Sequence, residues 1–486
     1  MAGSGRAAQM QLVEVEETSP ARAAAPPSGS RPEPGPSSPE GDPPPRGRLR
    51  TGRWVLLGGA LAAAVVASLV VVDARARDAD RDHALATPGL LLPVDGPLRA
   101  RWSAPAASGA GTVQVAGGTV AVVTTDGAGR AVTGYAAGTG EPRWRVEVEG
   151  GTSGFEDGGL TCPSTRYDDD LVLCTAATPD PLYVDEGDEV TPQTRVLAID
   201  AATGREEGGW SQPGVLIGVQ RVDDDLVLAS TDEDGHTLVQ RRAGRTGDVL
   251  WTYRSRGVIV SEFAQARSTM DASERTAVVR GVDVVAVRLR DGLVTPVGSR
   301  ALAVAAAPFR DAFATWTPAR GGTLHDEDGA ATVELPTIPA PLAVDDGSSG
   351  ELAVVSTGVD VRGIDVGSGA EVWRAVTTMR VRGVVAQTVL LGDGPRYAAL
   401  DATDGRTLWW QERRSALPWT PLTDGSVVLA PGEDGAGGDA PGTLVARDLR
   451  DGGALWQTEL PAGVRSLETV GGLVVGRTAD GVVVLG

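Results

Sequence analysis

The side chains able to do chemistry are few and widely separated. The 486-residue chain has three histidines, His83, His236 and His325, and none has a companion at metal-ligand spacing, which argues against a histidine-rich zinc or iron site. The two cysteines, Cys162 and Cys174, are too few for a four-cysteine zinc or iron–sulfur site. They flank an acidic turn, in GGLTC and DDDLVLC, and outside the cell they form a candidate disulfide across one hairpin. Acidic clusters occur at Asp168 to Asp170, at Asp223 to Asp225, at Asp185, Glu186, Asp188 and Glu189, and from His325 to Asp328. Oxygen-rich loops bind calcium, but none of these has the alternating carboxylates, glycine and distant glutamate of a calcium loop. DDDLVL occurs twice in the same form before an apolar run, which reads as a solvated hairpin turn. No nucleophile elbow, phosphate loop or zincin helix is present. No catalytic residue, metal or cofactor is therefore assigned.

The elements that carry these residues follow from composition. All 44 basic residues are arginine, and the chain has no lysine and no asparagine. With 65 glycines and 32 prolines, tight turns are favoured over long helices, which excludes an all-helical fold. A formal net charge of -20 gives no long-range attraction to nucleic acid or anionic lipid, so no nucleic-acid partner is expected.

An internal repeat sets the architecture. A short strand ends in a polar residue, a glycine turn follows, and a tryptophan stands four residues after the glycine. The pairs are Gly140 with Trp144, Gly247 with Trp251, Gly369 with Trp373, Gly405 with Trp409, and Gly452 with Trp456. A looser copy pairs Gly204 with Trp210, and two degenerate copies around Gly292 and Gly329 lack the tryptophan. The mean interval between turn glycines is about 45 residues, the size of one four-stranded propeller blade. Runs such as GGTVAVVTT, DDLVLAST and GSVVLAP are the strands of such blades. Eight turns predict eight blades, with seven or nine open because of the degenerate copies. A lone strand at ARWSAPA, carrying Trp102, is expected to complete the last blade and so remove an open edge.

LAIDAATG at 197–204 and AALDATDG at 398–405 give the chain, over about residues 98–486, a resemblance to the pyrroloquinoline quinone (PQQ) repeat family of quinoprotein-like β-propellers. The resemblance implies an all-β closed propeller of four-stranded blades. It implies that Trp144, Trp210, Trp251, Trp373, Trp409 and Trp456, with Trp102 on the closing strand, dock neighbouring blades as scaffold. A single blade cannot bury both faces, so a large planar residue between blades is physically reasonable. Enzymes of this family hold calcium with Glu, Asn and Asp and often carry adjacent cysteines. This chain has no Asn and no Cys-Cys pair, so no ligand set or base carries over. In kind it resembles the propeller lipoproteins of outer-membrane barrel assembly, which lack quinone chemistry, but it has no cysteine near residues 54–80 for lipid attachment.

The first 53 residues are rich in Pro, Ser, Ala and Gly and are expected to be a disordered cytoplasmic tail. Leu12, Val13 and Val15 beside Glu14, Glu16 and Glu17 read as an incidental patch in it. Residues 54–72 carry no charge over nineteen positions, enough to span a bilayer as a helix. Arg46, Arg48, Arg50 and Arg53 precede this span, and mixed charges follow it, which places the N-terminus inside. The uncharged stretch and the preceding tail are both longer than those of a cleavable signal. Residues 73–97 are expected to be a stalk and 98–486 the propeller, outside the cell and carrying a net charge of -21. The resulting expectation is a non-enzymatic, membrane-anchored extracytoplasmic platform that binds a protein or small ligand. A membrane-tethered PQQ-dependent oxidoreductase and a receptor signalling through the span are the alternatives.

Overall fold

The computed structural model describes residues 82–107, 111–126, 129–148, 159–163, 169–177, 191–259, 268–273, 275–299, 304–412, 420–432 and 442–486. The expected tail and membrane span lie outside them. Among the described residues no helix is long and apolar enough to cross a membrane.

These residues form nine sheets in sequence order, antiparallel apart from one parallel pair. Blades 1 to 5 occupy residues 113–148, 160–213, 215–258, 269–299 and 305–335. Blades 6 to 8 occupy 344–376, 380–412 and 422–459. Blade 9 combines 466–485 with the early strand Ala100–Pro105. The middle strands are apolar on both sides because a blade has a neighbour on each face: Leu171–Ala177 and Asp225–Thr231 are buried almost throughout. The outermost strands alternate. In Glu371–Val376 the buried Trp373 stands between exposed neighbours, the period-2 pattern of a strand with one face covered.

The count of eight is corrected to nine, within the range left open. Each of blades 1 to 8 has one glycine turn before its outer strand, and the degenerate copies at Gly292 and Gly329 belong to full four-stranded blades. Blade 9 has no such turn because its outer strand comes from the other end of the array. Ala100–Pro105 pairs antiparallel with Gly481–Leu485, Trp102 opposite Val484 and Ser103 opposite Val483. Counting turns therefore misses the blade at which the ring closes.

Nine apolar clusters fill the nine seams between adjacent blades. The seam between blades 9 and 1 joins Val475 and Val484 to Val113 and Val120, and the seam between blades 1 and 2 joins Val132 and Trp144 to Val172 and Leu197. The remaining seven follow in order around the ring. A fully buried Val, Leu or Ile contributes roughly 1.5–3 kcal/mol, so these seams carry most of the cohesion. Blade 6 is irregular. Its first strand, Val344–Asp345, pairs in parallel with Arg380–Val385 of blade 7, and three strands remain in its own sheet.

The described part of the segment expected as a stalk is seated on the propeller. After one helical turn at 82–86, Leu90 bridges in parallel to Thr423, and the Leu91 and Leu92 amides donate to the carbonyls of Thr423 and Gly472. Leu90 and Leu91 are fully buried; Leu90 joins the core between blades 7 and 8 and Leu91 that between blades 8 and 9.

Candidate functional site

Two built features could serve function: the cavity at the centre of the ring and the contacts that join the blades. The cavity has a volume of about 770 Å³. One side is the chain's own segment, with Ala84, Leu85, Pro88 and Leu90. The other side includes the inner strands and first turns of blades 2, 3, 4 and 9.

This wall carries six arginines and five carboxylates, and each arginine is engaged by a carboxylate. Arg221, 2% exposed in its side chain, lies 3.2 Å from Asp169 and 3.5 Å from Asp224 and donates to the carbonyls of Leu171 and Asp223. Burial pulls its guanidinium below the usual arginine value, and Asp169, Asp224 and Asp170 oppose that shift. Arg241 pairs with Asp225 at 2.7 Å and Arg275 with Asp311 at 2.7 Å. Arg288 is held charged by Asp291 and Asp328, Arg290 pairs with Glu327, and Arg477 pairs with Glu468.

The two DDDLVL motifs meet in this network. Asp169 and Asp170 of blade 2 and Asp224 of blade 3 converge on Arg221 and Arg245. Asp223 holds the turn with a φ of 54°. The repeated acids are hairpin turns whose carboxylates balance arginines across a blade seam. Sequence spacing alone could not show this, because the arginines lie elsewhere in the chain.

Among the described residues no group of three or more His, Cys, Asp or Glu converges on a metal position, and Asp169, Asp224, Glu327 and Glu468 of the cavity wall are bonded to arginines. The residues here do not fit a quinone held by calcium, and no step is derived through one. Cys162 lies on the cavity wall and is bonded to Cys174 in the adjacent strand, a cross-strand tie within blade 2. His236 bonds the Ser255 carbonyl, and His325 bonds Thr315 and stacks on Phe313.

The tryptophans form a series of locks. Each sits on the outer strand of one blade, covers the glycine turn of the next, and donates its indole N–H to the carbonyl three residues before that glycine. Trp102 bonds Ala137 over Gly140, Trp144 bonds Ala201 over Gly204, and Trp210 bonds Gly244 over Gly247. Trp251 bonds Leu289 over Gly292, Trp373 bonds Ala402 over Gly405, and Trp409 bonds Leu449 over Gly452. A methyl group at any of these six glycines would collide with the ring, and their φ values of 71–74° favour glycine on their own account.

Trp456 has no glycine turn ahead of it, since blade 9 closes with the early strand. It packs half-buried against the core of that seam, to which Leu91 belongs and against which Val94 also packs, so the chain's own segment contributes to that seam. Gly329 is covered by Thr295, whereas among the described residues beyond its own turn a methyl group at Gly369 would meet only Val333, at 3.5 Å. Sequence reading missed the seated segment, although LLLP at Leu90 to Pro93 is an apolar run unlike a solvated linker.

Comparison with known proteins bears on the later blades. The family model described as outer membrane protein assembly factor BamB matches residues 340–485, the stretch that folds as blades 6 to 9. No curated protein matches the chain. Among solved structures, BamB from Moraxella catarrhalis is 14% identical, over 80% of this chain and 99% of its own, with a TM-score of 0.42. Quinohemoprotein alcohol dehydrogenase from Comamonas testosteroni is 15% identical, over 80% of this chain and 76% of its own, with a TM-score of 0.38. Chaetomium thermophilum Sqt1, bound to the N-terminus of ribosomal protein L10, is 13% identical, over 65% of this chain and 93% of its own, with a TM-score of 0.36.

Proposed function

We propose that this PQQ-repeat β-propeller is a non-enzymatic interaction platform, anchored by residues 54–72 and displayed outside the cell, which engages a protein partner. The observation that carries this reading is the state of the central cavity. Its six arginines are bonded to carboxylates, and its wall includes the chain's own residues 84–90. A catalytic funnel needs a base or nucleophile poised for substrate, whereas these groups hold adjacent blades together. The matched family is described as an assembly factor, which supports a role in engaging other proteins. The uncharged span at 54–72 and the disulfide support an extracytoplasmic location.

The test uses the full-length chain in detergent. Pyrroloquinoline quinone with calcium is titrated by calorimetry, and dye-linked oxidation of alcohols and aldoses is followed in parallel. No saturable binding and no turnover are expected, together with a specific protein recovered by in vivo cross-linking. Turnover would establish the tethered oxidoreductase instead.

A further inference from the structure

We propose that the glycine turn of blade 6, at Gly369, is a preformed socket for an aromatic side chain, an indole first, inserted by a partner protein. This rests on the platform reading and names the side chain that such a partner presents. The chain displays the same contact six times within itself. In those six seams the glycine has a φ of 71–74° and donates its N–H to the carbonyl four residues earlier at 2.8–3.0 Å. Gly369 has a φ of 74° and donates to Asp365 at 2.8 Å, so its turn has the conformation that accepts an indole elsewhere.

The cover is what differs. At the position where six other outer strands carry a locking tryptophan, blade 5 carries Val333, and among the described residues beyond the turn itself its Cγ1 is what a methyl group at Gly369 would meet, at an ordinary contact distance of 3.5 Å. Gly369 is exposed, while the six indole-covered glycines are buried or half-buried. The carbonyl three residues back, on Val366, occupies the acceptor position used by the six indole N–H groups and receives no hydrogen bond among the described residues. The other turn without tryptophan is different: Gly329 has a φ of 87°, bonds Asp326, and is already covered by Thr295. Trp373 points from the outer strand of blade 6 toward blade 7, so alternation turns Val372 and Val376 toward the socket side. There they are 50% and 89% exposed, apolar surface for the residues flanking an inserted aromatic.

The probe is a fluorinated N-acetyltryptophanamide, observed by fluorine NMR with the full-length chain in detergent. Saturable line broadening is expected, with a dissociation constant on the order of millimolar for a single side chain. Val333→Trp supplies the missing indole from within the chain and is expected to abolish the broadening and raise Tm. Val333→Ala is expected to retain the broadening. Gly369→Ala, which places a methyl on the socket floor, is a second blocking variant should Val333→Trp fail to fold. No broadening with the parent chain, or equal broadening with a folded blocking variant, overturns the socket. A partner protein that binds parent and Val333→Trp chains equally overturns it too, while leaving the platform reading intact.

Discussion

Tryptophan and glycine form one device from two blades, and each half fails in a different way. Trp409 is buried under the Gly452 turn and bonds the Leu449 carbonyl at 2.8 Å. Trp409→Ala is expected to cost about 3–5 kcal/mol, through the lost packing and the cavity left behind. Trp409→Phe keeps a ring but leaves the carbonyl without its donor, and a further loss of about 1 kcal/mol belongs to that bond. Urea unfolding of both variants separates the two effects. Acidity acts at the same turns. Asp200, Asp365 and Asp401 are held below the usual carboxylate range by hydrogen bonds from Thr203, Ser368 and Thr403. With a folded value below the unfolded one, their stabilisation is fully present above the ordinary carboxylate pKa of about 3.9 and is lost as pH falls through the lower folded value. Tm measured from pH 7 down to pH 2 is expected to hold steady to about pH 5 and then decline. The decline should be shallower in Asp200→Asn combined with Asp401→Asn, and an unchanged slope would remove these aspartates as its cause.

At the scale of the element, the weakest blade edges have the most specific supports. Among the described residues, the inner strand of blade 2, Leu160–Thr161, makes two paired positions with its neighbour. The Cys162–Cys174 disulfide, spanning a sequence separation of 12, ties the same two strands. Removing a crosslink of this length is expected to cost about 2–3 kcal/mol through the freed entropy of the unfolded chain. The midpoint of urea unfolding with and without dithiothreitol reads this directly, and Cys162→Ser with Cys174→Ser should reproduce the reduced value. The seated segment is an element of the same kind. Leu91 is fully buried between blades 8 and 9, so Leu91→Ala is expected to cost about 2–5 kcal/mol, far above the near-zero effect of the same change in a solvated linker.

The propeller is a ring whose cohesion depends on its closure. Each blade contacts only its neighbours, so stability approximates a sum of blade and seam contributions, and an open ring leaves two blades half-covered. Deleting Ala100–Pro105 removes the partner of Gly481–Leu485 and the Trp102 lock on blade 1. Thermal unfolding is expected to be broader than in the parent chain. Hydrogen exchange should accelerate first in the strands of blades 9 and 1, and uniform protection would show that the ring does not depend on this strand. The exposed edge is also an aggregation site.

Much of this design is legible in the residues themselves because it is local or periodic. The all-β class follows from glycine, proline and short apolar runs, and the blade length from the spacing of the turns. The closing strand is legible in a lone tryptophan strand at one end, and the cysteine pair in two nearby thiols, given the oxidising setting expected from the sequence. What tertiary structure decided depends on residues far apart in sequence. The ninth blade is one example, since the closing blade has no turn to count. The arginine partners of the DDDLVL turns, the seating of Leu90 and Leu91 across three blades, and the handing of Val344–Asp345 to blade 7 are others. The uncovered turn at Gly369 shows the reason most simply. In the sequence, Gly369 and Trp373 form a complete repeat, but a tryptophan locks the blade after its own, so the covering of Gly369 depends on Val333 in the blade before.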